Sequence, residues 1–214
     1  MAGLNVTEIP SGSRGRRGVA AIFPGLRYGP DRPLLAMAIA TLKHRGFHVL
    51  LASHDYTSDA FSQLSDEEKL AQIHEDGHVF QRDHLQRFPG EPWMLVGKSL
   101  GTVSICGMDP AALPEHSAIA WLTPSLLAPG LTDAIARFPQ PAFSLIGSED
   151  PSVELARSAQ HRGLASLTYV EVQGADHGWG HAGGDAATAH IEAEAQSTFD
   201  AWLNTQAGYP PINN

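Results

Sequence analysis

Four segments of this chain have the residue types and spacing that chemistry requires. The first is Gly97-Lys98-Ser99-Leu100-Gly101, which follows the apolar run Met94-Leu95-Val96. G-x-S-x-G between a strand-like run and a helix-forming segment is the sequence form of a nucleophile elbow. The sharp turn lifts a serine hydroxyl clear of the sheet and aims the next N–H at a bound oxyanion. The pattern alone does not separate this from a tight turn whose serine caps the next helix. Context decides. The second segment is Gly147-Ser148-Glu149-Asp150-Pro151, and the third is Gly174-Ala175-Asp176-His177-Gly178-Trp179. A serine hydroxyl is a poor nucleophile until a base takes its proton, and histidine is the usual base. A buried carboxylate then fixes the imidazole tautomer and stabilises the imidazolium. Serine, acid and histidine occur here in that chain order.

The fourth segment, His74-Glu75-Asp76-Gly77-His78, matches H-E-x-x-H. On a helix, two histidines four apart share a face and can hold zinc, with the glutamate as general base. His84 even stands where a third ligand would fall. Gln81 replaces the glycine needed at the bend before that ligand, however, and Gly77 weakens the helix. The helix also lies between two parallel strands, which directs its middle and end away from the strand ends where sites form. The expectation is a solvated polar face and no metal.

These segments must be positioned by a scaffold, and the rest of the chain describes one. Short β-type runs alternate with helical patterns, the signature of a parallel sheet covered by helices. Val19–Phe23, 47–52, 93–96, 117–122, 142–146 and 167–172 read as strands. Leu34, Leu35, Ala38, Ile39 and Leu42 recur at helical spacing within 31–45, with Gly46 as a stop. Ser65 and Glu68 form a capping box that opens a helix ending before Pro89. A short helix is expected around 131–138, and Pro151 marks another start. A final helix from about Asp185 puts Ile191, Ala195, Phe199 and Trp202 on one face and stops before 208–211. The expected fold is a three-layer α/β sandwich, a mostly parallel sheet of about six strands with helices on both faces. It forms one domain over 18–214 behind a flexible N-terminal segment, 1–17. Ser99, the 147–151 segment and the 174–179 segment each follow a strand, at the edge where open α/β sheets bind ligands.

The whole composition narrows the partners. Net charge is -9 and 14 basic residues face 23 acidic ones, which argues against nucleic acid or an anionic membrane. No apolar run reaches the length of a membrane span, and the basic N-terminus lacks a following apolar stretch. The single Cys106 excludes an internal disulfide and fits a reducing cytoplasm.

From about Val19 to Trp202 the chain resembles the α/β-hydrolase superfamily, and within it the small cap-less serine hydrolases related to dienelactone hydrolases. G-K-S-L-G at 97–101, G-S-E-D-P at 147–151 and G-A-D-H at 174–177 carry the resemblance. It implies Ser99 as nucleophile, Asp150 as triad acid and His177 as base. Asp150 is preferred to Glu149 because the family's acid directly precedes the proline. Asp176 adjoins His177 too closely in sequence to orient it, and His181 sits deeper in the loop. The family's oxyanion loop reads His-Gly after an early strand; here it reads Phe23-Pro24-Gly25-Leu26, so the N–H groups of Leu100 and Leu26 are the expected donors. Two strands commonly precede that point, and residues 1–17 have room for at most one.

The implied activity is hydrolysis of a small-molecule carboxylic ester or thioester through an acyl-serine, without a cofactor, with a homodimer left open. A non-catalytic binding module on the same fold is the alternative, with a zinc hydrolase behind it. Only 123–141 separates two strands where a cap would be inserted, so a shallow site is expected. Pro124, Leu126, Leu127 and Pro129 are candidates for an acyl pocket and Trp179 for another wall. Arg27 and Tyr28 are candidates to contact a polar substrate group. Lys98, the elbow's variable residue, is expected to point away from the nucleophile.

Overall fold

The computed structural model describes residues 4–11, 16–206 and 209. Seven strands form one sheet: β1 (Asn5–Ile9), β2 (Gly18–Phe23), β3 (Phe47–Ser53), β4 (Trp93–Lys98), β5 (Ala118–Leu122), β6 (Ala142–Gly147) and β7 (Leu167–Val172). Their order across the sheet is β1-β3-β2-β4-β5-β6-β7. All neighbours are parallel except β1, which runs antiparallel to β3 with Asn5 opposite Ser53 and Ile9 opposite Val49. Parallel strands covered on both faces read as continuous apolar runs, and β2, β4, β5 and β6 are buried at every residue.

Helices fill the connections: α1 (Pro33–His44), α2 (Asp59–Ser62), α3 (Asp66–His84), α4 (Leu100–Cys106), α5 (Leu131–Ala136), α6 (Val153–Arg157), α7 (Ala159–Arg162) and α8 (Asp185–Thr205). Successive strand residues point to opposite faces, and the core divides accordingly. Ala20, Ile22, Met94, Val96 and Leu145 meet Leu35 and Ala38 of α1 and Ile191, Phe199 and Trp202 of α8. Val19, Ala21, Phe23, Leu95 and Trp121 meet Ile73 and Phe80 of α3, Val103 and Ile105 of α4, and Ile135 of α5. The result is three layers. The expected capping box holds: the Ser65 hydroxyl accepts from the Glu68 N–H at 3.3 Å, and the Glu68 carboxylate accepts from the Ser65 N–H at 2.8 Å.

Two features differ from the sequence reading. Residues 5–9, inside the stretch expected to be flexible, form the seventh strand. The edge of β3 offers unpaired backbone groups, and Val6 and Ile9 pack partly buried against the two cores. Residues 1–3, 12–15, 207–208 and 210–214, which include parts of that segment and the 208–211 stop, lie outside the described residues. The second difference is Gly77. It is the point where α3 crosses α4, and a Cβ there would collide with the Ser104 carbonyl.

Candidate active site

All six parallel strands end on one edge of the sheet, and the loops beyond them are bonded to one another. The Ser99 N–H donates to the Leu122 carbonyl at 3.1 Å, Ser148 to Val172 at 2.9 Å and Glu149 to Ala175 at 3.0 Å. The sheet's hydrogen bonding therefore continues past the strands and fixes three loops in register.

Ser99 is the single residue between β4 and α4. Its backbone stands at φ 51°, ψ −118°, a region that costs a non-glycine residue about 1–3 kcal/mol and persists only where the surroundings impose it. The imposing contact is the close approach of α4 to β2, where a Cβ on Gly101 would collide with the Phe23 carbonyl. The turn is held from within as well, since the Thr102 hydroxyl donates to the Ser99 carbonyl at 2.6 Å.

The structure brings Ser99, His177 and Asp150 together across 78 residues of sequence. Ser99 Oγ lies 2.9 Å from His177 Nε2, and His177 Nδ1 lies 2.7 Å from Asp150 Oδ2. The Asp150 side chain is 1% exposed and that of His177 39%. Asp150 Oδ1 accepts from the Ser152 N–H at 2.8 Å and the Ser152 hydroxyl at 2.7 Å. Burial alone would raise the carboxyl pKa. The bonds from His177 and Ser152 outweigh it and hold Asp150 below the usual carboxylate range.

The local competitors are turned elsewhere. Glu149 is exposed. Asp176 builds its own loop: its backbone N–H donates to the Gly180 carbonyl at 3.0 Å, and its carboxylate accepts from the Gly180 N–H at 2.8 Å. His181 Nδ1 accepts from the Gly183 N–H at 2.7 Å. On α3, Ile73, Gly77, Phe80 and Gln81 form the buried face, which leaves His74, Glu75 and His78 exposed. Among the described residues no three His, Cys, Asp or Glu side chains converge as a metal would require.

The two N–H groups expected to form an oxyanion hole belong to residues next to Ser99 in the chain or in a loop packed on it. Leu100 is the first residue of α4, where helix geometry leaves the N–H without an intrahelical acceptor. The Phe23–Tyr28 loop lies against the elbow, so that a Cβ on Gly25 would stand 3.0 Å from the Ser99 Cβ. The Tyr28 N–H closes that loop on the Gly25 carbonyl at 3.2 Å. Arg27 takes φ 55° at the turn. Among the described residues the Leu26 N–H donates to no backbone acceptor.

Beside the elbow runs a groove of about 500 Å³. Leu26, Arg27 and Leu100 line it together with Leu70 and Ile73 of α3 and with Ala128 and Pro129. Arg27 and Pro129 are among its lining residues. Tyr28, Leu126 and Trp179 are not. Tyr28 and Trp179 are buried in the core under α1 and α8, and Leu126 in the opposite core. Their apolar bulk is used for packing. Leu127 is 67% exposed and Pro124 is buried, its carbonyl accepting from the Ser152 hydroxyl at 3.3 Å. Sequence reasoning missed Ser125, whose hydroxyl lies 3.3 Å from Ser99 Oγ. Its one signal was its place after a strand end. It also missed Leu70 and Ile73, whose apolar faces look like ordinary helix core.

No family model and no curated protein matches the chain. Solved structures do match in shape. Est1E from Butyrivibrio proteoclasticus, solved with ferulic acid, aligns over 94% of this chain and 96% of its own at TM-score 0.68 and 12% identity. An α/β serine hydrolase without a lid, from Xanthomonas campestris, aligns over 98% and 91% at TM-score 0.68 and 13% identity. Esterase 2 of Thermogutta terrifontis, phosphorylated by paraoxon, aligns over 98% and 91% at TM-score 0.64 and 16% identity. The β5–β6 connection here carries only the six-residue α5 where a cap would be inserted. The sheet order, the strained serine after β4 and these alignments agree: the chain has the α/β-hydrolase fold in its cap-less form.

Proposed function

We propose that the protein is a serine hydrolase that cleaves a carboxylic ester or thioester of a small molecule. The observation that carries this reading is the unbroken chain from Ser99 Oγ through His177 to buried Asp150, at 2.9 and 2.7 Å. His177 Nε2 takes the proton of Ser99 as Oγ attacks the acyl carbon. Asp150, already ionised, holds the Nδ1 proton and stabilises the imidazolium. The carbonyl oxygen becomes an oxyanion, and the N–H groups of Leu100 and Leu26 stabilise it. Such donors each contribute about 10²–10³ in rate. The C–O or C–S bond then breaks, and His177 gives its proton to the departing alkoxide or thiolate. Water, deprotonated by the same imidazole, attacks the acyl-serine and releases the acid. These steps run on Ser99, His177, Asp150, two main-chain N–H groups and water.

The groove over Leu70 and Ile73 suits an apolar arm of the substrate. Arg27, which also lines it, suits a polar or anionic substituent. The structural likeness to an esterase that paraoxon phosphorylates supports the choice of an organophosphorus probe. A fluorophosphonate should label the protein, and mass spectrometry should find the label on Ser99. A folded protein that takes no label would favour the non-catalytic binding module. Activity lost on adding EDTA would return attention to His74 and His78.

A further inference from the structure

The elbow's variable residue, Lys98, is buried. It ends β4 and is 2% exposed. Its ammonium donates to the main-chain carbonyl of His177 at 2.7 Å. It also stands 4.4 Å from the centroid of the Tyr28 ring, within the range of a cation–π contact. That ring is fixed in turn, because the Tyr28 hydroxyl accepts from the Leu34 N–H at the start of α1, at 3.1 Å. One side chain thus joins the strand that carries Ser99, the loop that carries Leu26 and the loop that carries His177.

We propose that Lys98 is a positioning residue: its ammonium, held between the Tyr28 ring and the His177 carbonyl, fixes the main chain that carries the imidazole and so sets the reach from His177 to Ser99. The inference rests on the reading of Ser99 and His177 as nucleophile and base. A lysine at this depth needs partners. Asp150 beyond β6 and Asp176 beyond β7 favour its charge, while Arg32 ahead of α1 opposes it. Arg32 also lies over the Tyr28 ring, 5.7 Å from its centroid, and Glu192 of α8 acts on the same tyrosine. Burial is the largest influence, and it brings Lys98 down to about 8.

Two consequences follow, with opposite signs. Loss of the proton ends the cation–π contact and weakens the charge-assisted bond to His177. Catalysis should therefore decline as pH rises through about 8. Stability should move the other way. The folded pKa lies below the ordinary 10.5, so between these values the unfolded chain binds more protons, and stability rises with pH. A lysine serving only the fold would not lower activity where the fold is gaining stability.

The test compares wild type with K98M and K98R. Thermal melting, kcat and KM on p-nitrophenyl butyrate, and the rate of phosphonylation are followed from about pH 6 to about pH 10. K98M should melt no lower than wild type at neutral pH. Its kcat should fall about 10–100-fold, the cost of a misplacement near 1 Å, with KM within about twofold. Its alkaline limb should vanish. K98R keeps its charge throughout, so it should recover part of kcat and move the limb out of range; it carries the test if K98M does not fold. K98M with wild-type kcat, or with the limb near pH 8 unchanged, overturns the inference alone. A wild type that takes no probe on Ser99 overturns the hydrolase reading, and this inference with it.

Discussion

Two serine–histidine pairs occur among the described residues, and they differ in everything except that contact. Ser99 and His177 meet at 2.9 Å, and Ser144 and His161 meet at 3.1 Å through the same ring nitrogen. His177 has a carboxylate on its other nitrogen and reaches solvent. His161 is fully buried, and its Nδ1 has no partner among the described residues. Burial pushes His161 down to about 4, so it stays neutral and cannot accept a serine proton near neutral pH. Ser144 lies inside β6 in ordinary extended backbone, whereas Ser99 is held at positive φ. His54 supplies the remaining combination. Its Nδ1 lies 3.3 Å from Asp76 Oδ2 and its ring stacks on Tyr56, and among the described residues no serine is bonded to it. A hydroxyl, an imidazole and a carboxylate each recur. Among the described residues, all three line up at the sheet's carboxyl edge, where the His177 side chain is 39% exposed.

Substitutions at the two pairs test that contrast. Ser99→Ala should lower kcat by about 10⁴–10⁶-fold with the fold intact. Ser144→Ala should keep kcat within about threefold and cost about 1–3 kcal/mol in denaturant melts, since it strands the His161 ring. Equal losses from the two would erase the distinction. Next, Asp150→Asn should cost about 10⁴ in kcat by disturbing the His177 tautomer. Asp76→Asn should lower stability and leave kcat within about tenfold. A nearly normal rate in Asp150→Asn would remove that carboxylate from the mechanism.

The His161 pair predicts a pH effect on stability. Its folded pKa lies below the ordinary 6.5, so its contribution is fully present above that value and is lost as pH falls toward about 4. The window is worth about 3 kcal/mol. His161→Gln should flatten the stability profile across it, and an unchanged slope would assign the window to other groups. The smallest effect is expected on α3. Replacing His74 and His78 with alanine should leave esterase activity within about twofold, with or without EDTA; a large loss would restore the metal reading.

Much of this was legible in the residues. Apolar runs bounded by turn residues located every parallel strand to within two residues. The Ser65–Glu68 box opened α3, and the spacing of Ile191, Ala195, Phe199 and Trp202 gave the buried face of α8. Ser99 and the segments holding Asp150 and His177 were visible because each follows a strand end. These signals are local. A turn, a cap or an amphipathic face depends on residues a few positions apart, and the sequence states them directly. It determined the fold class, the elbow and the three segments from which the site is drawn.

Only the tertiary structure decided which side chains face one another. It turned Asp150 inward and left Glu149 in water, drew Asp176 into its own loop, and bonded Lys98 to the His177 carbonyl. It sent Tyr28, Leu126 and Trp179 into the cores and gave the groove to Leu70 and Ile73, residues that any helix could have used for packing. It also recruited residues 5–9 to an edge that no short-range pattern reveals. The physical reason is shared. An apolar or charged side chain has the same local preferences wherever it stands, and its direction is fixed by close packing against residues far away in the chain. The 2.9 Å between Ser99 and His177 is set by six parallel strands held in register, which no stretch of the chain holds alone.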